Sequence, residues 1–395
     1  ISDVLNIQKT KKGEYDMLGF PLHATKRFIE VLIKNGYTVI MIEQTTPPPN
    51  PKRGITKIMS PGTYIDDVTD FHNNNLLSLY LEEVKEDFLV GLSMIDLTTG
   101  KSVVYEYGNS DLDSVIGELF RFIESNSVKE IIVNSKGIRE QFSKQIESLL
   151  SNSNISYHFK SGGTGKSVGS EVYKLSYQNK FFGKIFKECG LLTPLEYIDL
   201  CYYPLTVISY MLLIQFAYEH DEKIVERISR PTVWCESDHM ILSHNTLYQL
   251  DVIEYKNKYD TDTVARSLYN VLNKCYTAMG RRLLKERLLN PIVDPEKLEK
   301  RYQQLDKFME MSEREGDQFA IVSGYLDNII DVERLVRKLM LKRLAPNAFS
   351  ESWISFESMK HIFSVFSGED TSYFQLDDEM IKRYDLFMKS FAAYF

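Results

Sequence analysis

The 395-residue sequence carries 43% hydrophobic and 26% charged residues, the balance of an ordinary soluble globular protein, and its length gives room for roughly two to four domains. Its net charge of −8 argues against a uniformly basic nucleic-acid module, and no apolar run approaches the ~20 residues of a membrane span. Cys189, Cys201, Cys235 and Cys275 lack both Cys-x-x-Cys spacing and matching His pairs, so the pattern offers neither a zinc site nor a disulfide framework and predicts reduced, mostly buried thiols in a soluble intracellular protein.

The chain starts at Ile1 and stops within a helix-like pattern at Phe395, so both ends read as cut from a longer chain. After a polar turn at residues 9–13, Phe28, Val31 and Leu32 give helical spacing up to an Asn35-Gly36 stop. Residues 37–42 are β-branched and predict a buried strand, followed by a Pro-rich loop at 45–53, a short strand at 55–59 and the turn Ser60-Pro61-Gly62-Thr63. Prolines 47, 48, 49 and 51 stiffen that loop, which is expected to present Lys52 and Arg53, with Lys57 nearby, on one exposed edge suited to phosphate contact or to plain solvation.

Strands are predicted at 76–84, 88–97 and 101–107, then a helix through Val115, Leu119, Phe122 and Ile123, a strand at 130–133, a helix to Leu150 and a strand at 155–159. Asp96 is the one strand carboxylate placed as a metal ligand would be, and without a second at suitable spacing it reads as a turn-stabilising Asp. Residues 160–167 end in Gly165-Lys166-Ser167 like a phosphate loop, but Lys160 stands where the first glycine is needed, so the stretch reads as a flexible linker.

Beyond residue 177 the pattern turns helical, with Phe181, Phe182, Ile185 and Phe186 on one face and a long helix at 204–228. Residues 234–255 look strand-like, and His239 and His244 have no partners for metal binding and read as polar surface residues. A basic helix from Thr277 is stopped by Pro291 and restarted by Asp294 as N-cap and Pro295 at the first helical position. Met279, Leu283, Leu284 and Leu288 line one face before this corner, and Leu298, Tyr302, Leu305 and Phe308 one after it. Phe319, Val322, Leu326, Ile330 and Leu339 predict a further long helix. Residues 277–291 hold four Lys/Arg against one Glu, and 331–345 hold five against two acids, so local basic patches exist on an acidic chain.

Thr277, Gly280, Arg282, Leu284, Leu288 or Leu289, and Pro291 fill the Thr-x-x-Gly-x-Arg-x-Leu…Pro pattern of the core, or lever, domain of the MutS family of mismatch-repair proteins, which this corner resembles. Asp331-Val332-Glu333-Arg334-Leu335, with Lys338 and Arg343-Leu344-Ala345-Pro346, is similar to the family's second lever block. The segment from Leu242 to Asp251 resembles a third, departing from it at Ser243, Gln249 and Asp251. Near the N-terminus, Gly19-x-Pro21-x-His23, Gly36-x-x-Val39, Glu43-Gln44 and Ser60-Pro61-Gly62-Thr63 resemble the mismatch-binding domain, with wording close to the subfamily of large DNA viruses. From Asn347 onward the resemblance fades.

The resemblance implies an α/β plus α architecture: a small α/β mismatch-binding domain at 1–75, a ribonuclease-H-like connector domain at 76–165, and the first part of a mostly helical core or lever domain at 166–395. It implies DNA contacts from Lys52, Arg53, Lys57 and His23, and coupling roles for Gly280, Arg282, Pro291, Asp331, Glu333 and Arg334. The expected partner is duplex DNA with mismatches, with homodimerisation through a region beyond the chain, downstream repair factors, and ATP and Mg2+ held by an ATPase domain after Phe395. The family's mismatch-wedging Phe-x-Glu motif lies upstream of the point where this chain starts. Phe28-Ile29-Glu30 does not replace it, because residues two apart on a helix diverge by ~200°. A scaffold that has lost mismatch recognition is the alternative, and a nuclease centred on Asp96 a third.

Overall fold

The computed structural model describes residues 1–65, 72–152, 155–159, 169–235, 239–240, 242, 244–254, 267–313, 318–366 and 378–393. The stretch 160–167, read as a linker, lies outside these. Two units are formed, Ile1–Trp234 and Cys235–Phe395.

The first unit opens with the short helix α1 (Ser2–Leu5), the hairpin β1 (Thr10–Lys12) and β2 (Tyr15–Met17), and a 3-10 turn at Leu22–Ala24. Helix α2 (Thr25–Lys34) follows and stops at Asn35 because Gly36 turns the chain at φ 80°. It buries Ile29 and Ile33, four apart on one face, against Met59 and Tyr64. The sequence places Phe28 on that face; it is instead half-buried, its ring 4.7 Å from Phe20. Among the described residues strands β3 (Val39–Gln44) and β4 (Arg53–Met59) pair only with each other, so β3 is not the buried strand its composition predicts. Ile42 and Ile55, directly opposed, are each 61% exposed.

A six-stranded sheet makes the centre of this unit, in the order β10 (Thr232–Val233), β7 (Lys101–Asn109), β6 (Asp87–Asp96), β5 (Asn75–Val84), β8 (Val128–Lys136) and β9 (Ser156–Phe159). Strands β5, β6 and β7 form an antiparallel meander, and β8 and β9 add in parallel. Helices α3 (Leu112–Ser125) and α4 (Glu140–Asn152) cover one face, where Leu77, Leu79, Leu81, Val90 and Leu92 meet Val115, Leu119, Phe122, Phe142 and Ile146. Asp111 caps α3 by accepting the Ser114 N–H.

The other face is taken by a helix that the sequence assigns to the lever part. After α5 (Leu175–Ile185) and α6 (Pro194–Tyr197), α7 (Pro204–His220) runs across the sheet, apolar on nearly all sides, as a helix buried all round must be. Its N-terminus lies so close to β6 that a Cβ on Gly91 would fall 2.5 Å from the Leu205 carbonyl. Glu106 accepts the N–H groups of Leu205 and Thr206, each at 2.9 Å, and burial pushes its carboxyl above the usual range against those two bonds. The helix ends at His220 rather than 228, where Asp221 caps a separate 3-10 turn, Glu222–Val225. The short strand β10 (Thr232–Val233) then returns to the sheet beside β7. The division between the two compact units falls after Trp234.

The second unit is helical. Where the sequence looks strand-like at 234–255, the described residues form α8 (His244–Gln249) and an isolated bridge between His239 and Ile292. Leu247 is buried with Val252 and Leu289, so tertiary contact decides against β propensity here. Helices α9 (Leu268–Leu272), α10 (Ala278–Leu289) and α11 (Pro295–Glu313) follow, the last two forming the predicted corner. Of the apolar face read on α11, Phe308 packs against Val322 and Phe366, while Tyr302 and Leu305 are exposed.

The long helix expected from 319 to 339 is two helices, α12 (Gln318–Leu326) and α13 (Val332–Met340), because Asp331 breaks the run and caps the second. Helices α14 (Pro346–Phe366) and α15 (Asp378–Ala392) form an antiparallel pair zipped by aromatic rings, with Phe349 on Phe391 at 5.1 Å, Phe356 on Phe387 at 5.2 Å and Phe363 on Tyr384 at 5.1 Å. Cys201 and Cys235 are exposed and Cys189 and Cys275 half-buried, so the thiols are less buried than expected. No helix among the described residues is long and apolar enough to cross a membrane.

Candidate nucleic-acid interface and coupling corner

The Pro-rich loop is pinned at its base. Thr45 donates its N–H and hydroxyl to the Lys52 carbonyl at 2.8 and 3.1 Å, and the Lys52 N–H donates to Thr46 Oγ1 at 2.7 Å. Lys52 and Arg53 emerge exposed from this clamp.

Lys57 does not join them. Met41 pairs with Lys57 but Ile42 pairs with Ile55, so Thr56 is an unmatched bulge residue. Across a regular strand residues 53 and 57 would share a face; the extra residue reverses the alternation. Arg53 is thereby placed with Ile42 and Ile55 on the open face, and Lys57, half-buried, with Met41 and Met59 on the α2 side. His23 is exposed in the turn that leads into α2. The structure thus brings together two of the four residues read as DNA-facing, Lys52 and Arg53.

The helical corner is more tightly built. Thr277 caps α10 by accepting the Gly280 N–H at 3.0 Å, and a Cβ on Gly280 would sit 3.0 Å from that same hydroxyl, which favours the bare residue. Pro291 ends the helix, and its carbonyl accepts the Met240 N–H at 2.7 Å. Asp294 restarts the chain as α11 by accepting the N–H groups of Glu296 and Lys297 at 2.9 and 3.3 Å, and these bonds lower its pKa.

Inside the corner, buried Arg282 donates to both oxygens of Asp331, at 2.5 and 2.9 Å, and to Glu333 at 2.7 Å. A planar guanidinium suits this bidentate arrangement where a lysine would not. Burial pushes the Asp331 carboxyl up, but the Arg282 bonds and charge, with Arg334, outweigh it and hold the group below the ordinary carboxylate range. Burial likewise pulls Arg282 down, and the two acids more than reverse it. Asp331 also accepts the Arg334 N–H at 3.3 Å as the cap of α13, while Arg334 Nε lies 3.5 Å from it, an ion-pair distance.

Arg282 of the first block and Asp331, Glu333 and Arg334 of the second therefore meet in one network joining α10 to α13. Three of the nine basic residues counted in the two local patches, Arg282, Arg334 and Arg337, are buried and so are withdrawn from any phosphate-facing surface, while Arg287 and Lys342 remain exposed.

Sequence reasoning missed Ser355 on α14. Its buried hydroxyl donates to the Asn328 carbonyl at 2.8 Å and accepts the Ile330 N–H at 3.0 Å, holding the α12–α13 break. The one available signal is the i, i+3 spacing of Ser352, Ser355 and Ser358, which places three hydroxyl residues along one side of the helix, all of them buried.

Asp96 is committed to its turn. Its Oδ1 accepts the Thr98 N–H and hydroxyl at 2.8 and 2.6 Å, and Oδ2 the Asn74 N–H at 3.3 Å. Among the described residues no group of three or more His, Cys, Asp or Glu could hold a metal ion.

An α/β part with a pinned basic loop, followed by a helical part turned on a buried ion network, defines a modular chain of a sheet unit and a helical unit. Known proteins sharpen this. The family model described as MutS domain I matches residues 1–68, and that described as MutS domain III matches 245–390. The DNA mismatch repair protein MutS of Borrelia hermsii is 30% identical over 377 residues, covering 93% of this chain and 40% of its own length. A mutS homologue of Acanthamoeba polyphaga mimivirus, named as a DNA mismatch repair protein, is 26% identical over 389 residues, covering 92% of this chain and 34% of its own. MutS of Caldanaerobacter subterraneus is 27% identical over 365 residues, with 89% and 38% covered. The chain belongs to the MutS family. It spans only 34 to 40% of the length of these three relatives.

Proposed function

We propose that this chain supplies the DNA-contacting and lever parts of a protein that recognises mismatched duplex DNA in mismatch repair. The observation that carries the reading is the buried network of Arg282, Asp331 and Glu333. It joins the two lever blocks within the segment that matches MutS domain III, and gives them a rigid element through which a bound state can be passed on.

In this reading residues 1–75 form the mismatch-binding domain, 76–165 a ribonuclease-H-like connector, and 166–395 the start of the core. The antiparallel β5-β6-β7 meander followed by parallel β8 and β9 supports the connector assignment, although α7 adds to that sheet from the following segment. Lys52 and Arg53 contact phosphates without reading sequence, His23 lies on the same small unit, and Gly280, Pro291 and Arg334 shape the corner. ATP and magnesium are assigned to a part of the protein outside these residues, as are homodimerisation and the binding of downstream repair factors. Mismatched steps kink at lower cost, so deformability would contribute to recognition along with base edges.

The test is an anisotropy titration of the chain with a short duplex over a range of salt. Replacing Lys52 and Arg53 by alanine should lower the slope of log K against log salt by about 1.8, close to 0.9 for each phosphate contact. An unchanged slope removes this loop from the interface.

A further inference from the structure

The block Ser60-Pro61-Gly62-Thr63 belongs to the sequence resemblance, yet the phosphate-contacting reading gives it no role. In the structure it is a tight turn laid over a buried carboxylate. The Ser60 N–H donates to Thr63 Oγ1 at 3.0 Å, and the N–H groups of Thr63 and Tyr64 return to the Ser60 carbonyl, both at 3.1 Å. Beneath it lies Glu130, fully buried at the start of the apolar run Ile131, Ile132, Val133 on β8. A lone carboxylate in such a run requires donors on every side.

Three donors are present. Glu130 Oε2 accepts the Ser60 hydroxyl at 2.6 Å and the Gly62 N–H at 2.9 Å, and Oε1 lies 2.7 Å from His158 Nε2 on β9. A Cβ at Gly62 would stand 2.8 Å from Leu76 Cδ1 and 2.9 Å from Glu130 Oε2, so glycine alone lets this amide reach the carboxylate. The turn is held again just beyond, where Asn74 Nδ2 donates to the Tyr64 carbonyl at 3.1 Å. The arrangement is not a nucleophile with its base. Ser60 is fully buried, its hydroxyl is shared between Glu130 and Thr63, and His158 donates to the carboxylate rather than to the serine.

We propose that Glu130 is a positioning residue whose carboxylate receives the Ser60–Thr63 turn and so fixes the β3–β4 pair, which ends one residue earlier at Met59, on the six-stranded sheet. A pair of strands is marginal alone and needs an anchor of this kind to hold a defined orientation. The consequence for DNA rests on the reading of the small sheet as DNA-contacting; the joint itself does not.

Methionine at 130 keeps an unbranched side chain of similar length but offers no carboxylate, so the buried Gly62 N–H and the Ser60 hydroxyl lose this acceptor. Hydrogen exchange on the whole chain should therefore show the Gly62 amide exchanging about tenfold faster in Glu130→Met, while the Leu79 and Val133 amides of the sheet stay unchanged. Should that variant fail to fold, Ser60→Ala removes one donor and leaves the carboxylate its other two, and the Gly62 amide should still accelerate. A Gly62 amide unchanged in a folded variant overturns the proposal. Duplex affinity should fall in the folded variants with the salt slope retained, because no basic residue is lost. Acceleration at Gly62 with unchanged affinity keeps the joint and overturns the DNA role of the small sheet.

Discussion

Removing Asp331 tests the corner most sharply, because that residue both caps α13 and receives the Arg282 fork. Asparagine keeps a capping oxygen but loses the charge and one acceptor for the guanidinium. Hydrogen bonds to charged groups contribute roughly 1.5–3 kcal/mol, and Arg282 would retain Glu333, so Asp331→Asn should cost about 2 kcal/mol. Asp331→Ala loses the cap as well, about 1 kcal/mol more, which approaches the roughly 3–5 kcal/mol of a broken buried pair. Glu333 is more exposed, and Glu333→Gln should cost about 1 kcal/mol or less. In a double-mutant cycle, Arg282→Met with Asp331→Asn should show coupling of about 2 kcal/mol, equivalent to roughly 4–8 °C in Tm for a unit of this size. Urea unfolding can be followed by Trp353, whose ring lies 5.9 Å from Phe391 on α15, in a Trp234→Phe background that silences the other unit's tryptophan. Coupling below about 0.5 kcal/mol would refute the view of the network as a rigid joint and reduce it to a surface ion pair.

Further outcomes follow from the same contacts. Because the Asp331 carboxyl is held below its ordinary range, its stabilising contribution is present above the unfolded value of about 3.9 and is lost as pH falls through the folded one. The stability gap between the native chain and Asp331→Asn, measured by denaturant unfolding, should therefore narrow below about pH 4. Ser355→Ala should cost about 1–3 kcal/mol by orphaning the Asn328 carbonyl and the Ile330 N–H, and hydrogen exchange should accelerate at Ile330; an unchanged Ile330 amide would remove Ser355 from the joint. Lys57→Ala should leave the salt slope of duplex binding close to the native value, since the bulge at Thr56 turns Lys57 to the α2 side.

Local chemistry made much of this chain legible. Asn35-Gly36 marked the end of α2, the alternating runs after residue 75 marked the meander, and Thr277, Pro291, Asp294 and Pro295 marked both sides of the corner. What remained hidden depends on partners distant in sequence. The bulge that separates Lys57 from Arg53 is a matter of register between two strands, and composition does not encode register. The apolar spacing from Phe319 to Leu339 runs smoothly through the α12–α13 break, whose cause is that Asp331 is engaged by Arg282, 49 residues earlier. Arg282, counted in one basic patch, is buried because Asp331 and Glu333 receive it, and the place of α7 on the sheet becomes visible only where Gly91 makes room for it.

The central claim is recognition of mismatched DNA, and the direct measurement is competition between a single-mismatch duplex and its matched counterpart for the protein at its natural length, at fixed salt. The account predicts at least a tenfold preference for the mismatch, about 1.4 kcal/mol, weakened when Arg282 or Asp331 is replaced. Equal affinity for the two duplexes would contradict it.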